Sequence, residues 1–223
     1  MATVVSVMDR PSFEADTDVI VVADPEARKL LWVPRDLWCE RIENRVNRAF
    51  ALGGHALLAD ALAEHGINAS HGICLQPGAI ESGLEGVEVR VPVHERMEFL
   101  YPLERHRPIE EGHKVVSFNP PVEHLRGERF NQWMGARFRN GAASSDLERI
   151  ERQKVLVAAF LLEGFDFSRF VRPALPVSLS STFAIQELSR ASADWILDTL
   201  DDLVPDEVHG MKVLLRGGSR LLG

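Results

Sequence analysis

The chain is poor in cysteine, in lysine and in long apolar runs, and each shortage removes a class of answer. Its 223 residues include only two cysteines, Cys39 and Cys74, far apart and outside any CxxC pair. A zinc ribbon and a disulfide scaffold are therefore excluded, and two buried free thiols are expected. The longest apolar runs, at 19–23 and 155–162, fall well short of the roughly 20 residues a membrane-spanning helix needs. No basic stretch followed by a long apolar one stands at the N-terminus, so no signal peptide is visible and, with the sequence taken as given, a cytoplasmic location is expected. A basic surplus is also missing. Acidic residues number 33 against 25 basic ones, a net charge of −8. General nucleic-acid binding is disfavoured, because such proteins displace counterions from phosphates with excess cations. Any anion site must be local.

What is present is arginine and a core. Lysine occupies only positions 29, 114, 154 and 212, and every other basic residue is arginine, the side chain that grips phosphate and carboxylate in two parallel hydrogen bonds. Hydrophobic residues make up 45% of the chain, ample for one large core. Residues 3–8 (TVVSVM) and 19–23 (VIVVA) read as strands buried on both faces. Asp24-Pro25-Glu26 reads as a turn into a third strand at 29–33, and Pro34-Arg35-Asp36 ends that strand with two charges. Residues 45–52 and 56–65 read as helices parted by Gly53-Gly54, the second with Leu57, Leu58, Ala61 and Leu62 on one side. Residues 73–75 and 87–93 are strand candidates. The stretch 94–126 has no sustained period and reads as a long loop region. Residues 134–139 read as a strand, 140–144 as a polar loop, and Ser145-Asp146-Leu147-Glu148 as a capping box opening a helix to about Leu162. A last helix is expected over about 182–203, with a frayed tail at 216–223. No repeat or linker appears, so one domain over 1–223 is expected, with a helical C-terminal part at 166–215. The fold class is α/β, a three-layer α/β/α arrangement with a central mixed sheet flanked by helices.

Arg137 and Arg139, two apart in an extended segment, project from one face. On the following helix Asp146, Arg149 and Gln153, spaced by three and four, form one stripe beside a buried face of Ile150, Val157 and Leu161, with Arg152 turned further toward solvent and Glu148 on the outer side. That inventory fits a diphosphate. Arginines neutralise its charge, Gln153 adds an amide donor, and Asp146 can hold Mg²⁺ or orient an arginine. The competing reading is a surface network in which the arginines pair with Glu148 and Glu151.

At these residues the chain resembles the LytR–CpsA–Psr (LCP) family of cell-wall glycopolymer phosphotransferases. The family's closing motif corresponds to ARFR at 136–139 and SDLERIERQ at 145–153. VPRD at 33–36 resembles the family's strand-ending Pro-Arg-Asp. RVNRAFALGG at 45–54 resembles a Lys-Ile-Asn-Ala-Ala-Tyr segment closing on two glycines, with Arg45 in the lysine's place. DTDVIVVADP at 16–25 resembles the acidic start of the second strand, and VRVPV at 89–93 a following Val-Pro strand. The matches span most of residues 3–165, in order.

The resemblance implies a polyprenyl-(pyro)phosphate-linked glycan as substrate, a hydroxyl acceptor and Mg²⁺. By it, Arg35, Arg137, Arg139, Arg149, Arg152 and Gln153 would grip the pyrophosphate, and Arg45 and Asn47 would shape its rim or contact phosphate. Asp16 or Asp18 would serve the metal or activate the acceptor, with Asp146 a further metal candidate and Arg35 and Arg137 counted with the catalytic set. Family members are membrane-associated and extracytoplasmic, whereas this sequence as given shows no anchor; a trimmed chain and a soluble variant with a different substrate are the two readings, with peripheral membrane contact open to either. The alternative from a different class is a non-catalytic or regulatory module for anionic lipid or glycan phosphates. Leu156 and Phe160, one turn apart near the arginine stripe, read first as core residues and second as a prenyl pocket. The eight histidines show no HExxH or HxH spacing, Ser144-Ser145 lacks a Gly-x-Ser-x-Gly setting, and Gly53-Gly54 lacks the Lys-Ser/Thr of a P-loop.

Overall fold

The computed structural model describes residues 2–12, 14–104, 107–136, 146–170 and 191–200, together with the backbone of 138–139 and 142–143. The chain divides into two compact units, one of Met1–Gly83 with Asp166–Gly223 and one of Leu84–Phe165.

The first unit is built on three apolar strands, β1 (Ala2–Met8), β2 (Thr17–Asp24) and β3 (Lys29–Trp32). β1 and β2 pair antiparallel, Val5 opposite Val21, and β2 and β3 do the same, Val22 opposite Leu31. Asp24 makes the β2–β3 turn, its Oδ1 accepting from the backbone N–H groups of Glu26 and Ala27 at 3.0 and 3.1 Å, a local bond that short acidic side chains supply. Two minor strands, β4 (Trp38–Cys39) and β5 (Asn44–Arg45), form a small ladder. Next come a 3-10 turn at Val46–Arg48 and helix α1 (Ala49–Ala63), which breaks at Gly53 and Gly54. The helix therefore begins four residues later than the sequence pattern implies, because Arg45 is held in the β4–β5 ladder. The break at the two glycines lies where expected.

β6 (Ala69–Leu75) pairs parallel with β1, and α2 (Pro77–Gly83) follows. On β1, successive side chains point to opposite faces. Val4 joins Ile20 and Val22 against Leu58, Ala61 and Leu62 of α1. Val5 and Val7 join Ile73 and Leu75 against Ala79 and Ile80 of α2. Helix, sheet and helix thus stack as three layers, and burial on both faces is what made these strands read as unbroken apolar runs.

The second unit begins with β7 (Glu88–Pro92) and a hairpin of β8 (Met97–Pro102) and β9 (His113–Phe118). β10 (Val122–Arg126) returns to pair with β7. The expected loop over 94–126 is thus corrected to three strands. Their alternation is one-sided, Phe99 and Tyr101 of β8 and Val116 and Phe118 of β9 facing inward, and charges and prolines between them mask the period. Helix α3 (Glu128–Gly135) and the two-residue strands β11 (Phe138–Arg139) and β12 (Ala142–Ala143) follow, so Met134 and Gly135 are helical, not extended. β11 adds to the edge of β8, Arg139 opposite Phe99. Helix α4 (Asp146–Leu162) then runs to the predicted end. Leu156 and Phe160 are core residues, Phe160 stacking on Phe130 at 5.9 Å. Ser145, the expected N-cap, lies outside the described residues.

The final described strand, β13 (Ile196–Thr199), pairs parallel with β3 in the first unit and completes a mixed five-stranded sheet of order β13-β3-β2-β1-β6. The expected helix over 182–203 is corrected within residues 191–200, where the open edge of β3 takes the segment as a strand. Residues 182–190 and 201–203, and the tail at 216–223, lie outside the described residues. Cys39 and Cys74 are buried free thiols. Among the described residues no helix is long and apolar enough to cross a membrane.

Candidate functional site

In the first unit, three segments that are remote in sequence are tied together by hydrogen bonds to the backbone. Thr17 Oγ1 donates to the Asn47 carbonyl at 3.1 Å, the Asn47 N–H donates to the Arg35 carbonyl at 3.1 Å, and the Val46 N–H to the Leu37 carbonyl at 2.7 Å. The start of β2, the turn after β3 and the entry to α1 are therefore one structural patch.

Their charged side chains pair off within it. Arg35 Nη1 donates to Asp18 Oδ1 at 2.7 Å, both groups mostly buried. Arg45 Nη1 donates to Asp36 Oδ1 at 2.8 Å on the exposed rim. Arg48 Nη1 donates to Asp16 Oδ1, whose second oxygen Oδ2 accepts from Asn47 Nδ2 at 3.5 Å. Two polar atoms are left over: Arg35 Nε and Asn47 Oδ1 are buried without a hydrogen-bond partner among the described residues. Buried polar atoms are costly to leave unmade, so both mark places that a partner from beyond the described residues would satisfy.

Asp16, Asp18, Arg35, Arg45 and Asn47 are thus brought together as the sequence pattern implies. Arg48 joins them, a residue that pattern reading passed over. Its signal was positional: it follows Asn47 directly and stands three residues after Arg45.

In the second unit the stripe on α4 is buried, with Arg149 at 2% exposure and Gln153 at 1%. Arg149 Nη2 donates to Asp146 Oδ1 at 2.6 Å, one turn away and at the helix N-terminus, where a carboxylate is favoured by the helix dipole. Asp146 thus orients an arginine. Gln153 Nε2 is buried and makes no hydrogen bond among the described residues.

Arg152 departs from its expected direction toward solvent. Its Nε donates to the Trp133 carbonyl at 3.1 Å, its Nη2 donates to the Ala136 carbonyl, and its guanidinium lies 4.4 Å from the Phe99 ring centre. Trp133 Nε1 donates back to the Arg152 carbonyl at 2.7 Å. The guanidinium is drawn inward because α3 offers it two helix-end carbonyls and β8 an aromatic face.

Arg152 also borders a groove of about 250 Å³ lined by Met97, Phe99, Trp133 and Val155 together with Glu95, Glu148 and Glu151. Those carboxylates make it unsuited to a phosphate. Arg137 lies outside the described residues. Arg139 is described by its backbone in β11, and its side chain lies outside them.

Among the described residues no three His, Cys, Asp or Glu side chains gather closely enough to hold a metal ion. Cys74 is no candidate nucleophile or ligand, since burial pushes its thiol up to about 11 and only the thiolate reacts or binds metal.

Comparison with known proteins places this geometry. Solved structures of similar fold include a TagT complex titled as bound to LI-WTA, 18% identical, covering 100% of this chain and 86% of that one with a TM-score of 0.65. A second, "LytR-CPS2A-psr family protein YwtF (TagT) with bound octaprenyl pyrophosphate lipid", is 16% identical over 100% of this chain and 85% of that one, with a TM-score of 0.61. B. subtilis TagV is 14% identical over 92% of this chain and 85% of that one, also at 0.61. No curated protein matches the sequence. The LytR_cpsA_psr family model matches residues 9–172, a span holding both arginine sets, and the chain belongs to that family.

Proposed function

We propose that this protein binds a polyprenyl-(pyro)phosphate-linked glycan through its arginines and transfers the glycan, with its phosphate, to a hydroxyl acceptor. The observation that carries the reading is the patch of Asp16, Asp18, Arg35, Asn47 and Arg48, with buried atoms of Arg35 and Asn47 unsatisfied among the described residues. An octaprenyl pyrophosphate in a structure of the same fold and family supports the ligand class.

Phosphoryl transfer depends mainly on positioning and charge neutralisation, which guanidinium groups provide. Arg35, with Arg45 and Asn47 at the rim, is assigned to phosphate oxygens. In the second unit Arg149 and Gln153 are assigned to the same chemistry, as are Arg137 and Arg139 from their place in the family motif. Arg152, its guanidinium held by carbonyls, supports α4 instead.

In the transfer the acceptor oxygen bonds to the glycan-bearing phosphorus and the phosphoanhydride bond breaks. Prenyl phosphate leaves with the electron pair, and the hydroxyl proton passes to a carboxylate, Asp18 or Asp16. Mg²⁺ would add Lewis-acid neutralisation of the phosphate charge. The oxygens of Asp16 and Asp18 are the donor type it prefers; among the described residues no third carboxylate gathers with them, so phosphate oxygens would add the remaining ligands.

The test is turnover of a prenyl-pyrophosphate-linked sugar by wild type, Asp18→Ala and Asp16→Ala. The expected result is a loss of at least about a hundredfold in kcat for one of the two, in the range a positioned base contributes. Full turnover by both variants would overturn the transfer mechanism. Tight binding with no turnover by wild type would assign the chain to non-catalytic binding.

A further inference from the structure

We infer that Arg48 is a built-in counter-ion for Asp16, occupying that carboxylate while the site is empty and keeping a divalent cation off it. The inference rests on the proposed function only in placing Asp16 at the phosphate site. Both oxygens of Asp16 are already engaged by the protein, Oδ1 by Arg48 and Oδ2 by Asn47 Nδ2 at 3.5 Å.

The two other aspartates of the patch have arginines of their own, Asp18 with Arg35 and Asp36 with Arg45. The bond from the Thr17 hydroxyl to the Asn47 carbonyl and the backbone bond from Asn47 to Arg35 tie the segments carrying the two partners together.

A metal approaching Asp16 must displace a guanidinium before it gains an oxygen ligand, and it meets like charge while doing so. A diphosphate changes the balance. Arg48 and Asp16 are 38% and 28% exposed, so an arriving phosphate can reach the guanidinium and take it in a charge-assisted, bidentate contact. Asp16 is then released at the moment phosphate oxygens become available to complete a metal's shell. The protein would therefore load metal with its substrate, not ahead of it.

The probe is Mn²⁺ alone, titrated calorimetrically into the whole chain without lipid. In the wild type, Asp16→Asn should leave Mn²⁺ affinity within about twofold, because that carboxylate is already taken. Arg48→Gln should raise the affinity on the order of tenfold, a Coulombic effect between neighbouring charges. The gain should vanish in the Arg48→Gln, Asp16→Asn double variant.

Loss of wild-type Mn²⁺ binding on Asp16→Asn overturns the inference, and so does an Arg48→Gln affinity equal to wild type. Should Arg48→Gln fail to fold by circular dichroism, inorganic pyrophosphate replaces it as the perturbation. It should raise Mn²⁺ binding to the wild type by more than it does to Asp16→Asn, and equal increases overturn the inference. Failure to bind any prenyl pyrophosphate would defeat the proposed function while leaving these metal results to stand or fall by themselves.

Discussion

His55 stands at the break in α1 and fills the space beside Gly72, where a Cβ would come within 2.3 Å of its Nδ1. Its ring meets Phe50 edge-on at 4.9 Å, and burial lowers its pKa from the ordinary 6.5. Nδ1 is buried without a hydrogen-bond partner among the described residues, so the neutral ring is the form the fold accepts. The folded pKa lies below the unfolded one, and the unfolded state binds more protons between them. Stability is whole above about pH 6.5 and declines as the pH falls toward the folded value. His55→Gln has no charge to take up. Its melting temperature should change less than that of wild type between about pH 7 and pH 5. Parallel pH profiles for the two proteins would show that His55 does not carry the dependence.

Helix α1 shows how one backbone position shapes an element. Gly54 has φ 64 and ψ −156, a region essentially reserved for glycine, and a Cβ placed there would meet nothing within 4 Å. Gly54→Ala therefore isolates backbone strain from packing, and chemical denaturation should show a loss of roughly 1–3 kcal/mol. No loss would mean that the helix can run straight through the break.

On α4 the buried pair of Asp146 and Arg149 makes a second case, with side-chain exposures of 9% and 2%. Asp146→Ala removes a carboxylate hydrogen-bonded to a buried guanidinium, so a loss of roughly 1–3 kcal/mol is expected. A change below about 0.5 kcal/mol would place the pair among surface bridges.

Elements with strong local signals were legible in the sequence: β1 to β3, the glycine break and α4 each declare themselves through apolar runs, turn chemistry or helical spacing. The β8–β9 hairpin was not, because only one of its faces is buried and Pro102, Pro108 and interleaved charges interrupt the alternation. β13 was illegible for another reason. Its state is set by the unpaired edge of β3, a contact more than 160 positions away in sequence. The site divides in the same manner. Ordered motifs pointed to Asp16, Asp18, Arg35 and Asn47, but the inward turn of Arg152 depends on Trp133, Ala136 and Phe99, which the spacing on α4 does not encode.

The whole molecule carries a net charge of −8, yet it places arginines where family motifs call for them and holds several in place with aspartates. Such a surface repels polyanions in general and admits an anion only where guanidinium groups are already oriented. Arg35 in one unit and Arg149 in the other are the two described arginines on which that account leans most.

The direct measurement is the affinity of a short prenyl pyrophosphate for the intact chain, read by calorimetry beside the matching prenyl alcohol. Wild type should bind the pyrophosphate, Arg35→Ala and Arg149→Ala should each weaken it by about tenfold or more, and the alcohol should bind far more weakly. Equal affinity for the alcohol and the pyrophosphate, or correctly folded arginine variants that bind like wild type, would contradict the claim that Arg35 and Arg149 each contribute to diphosphate binding.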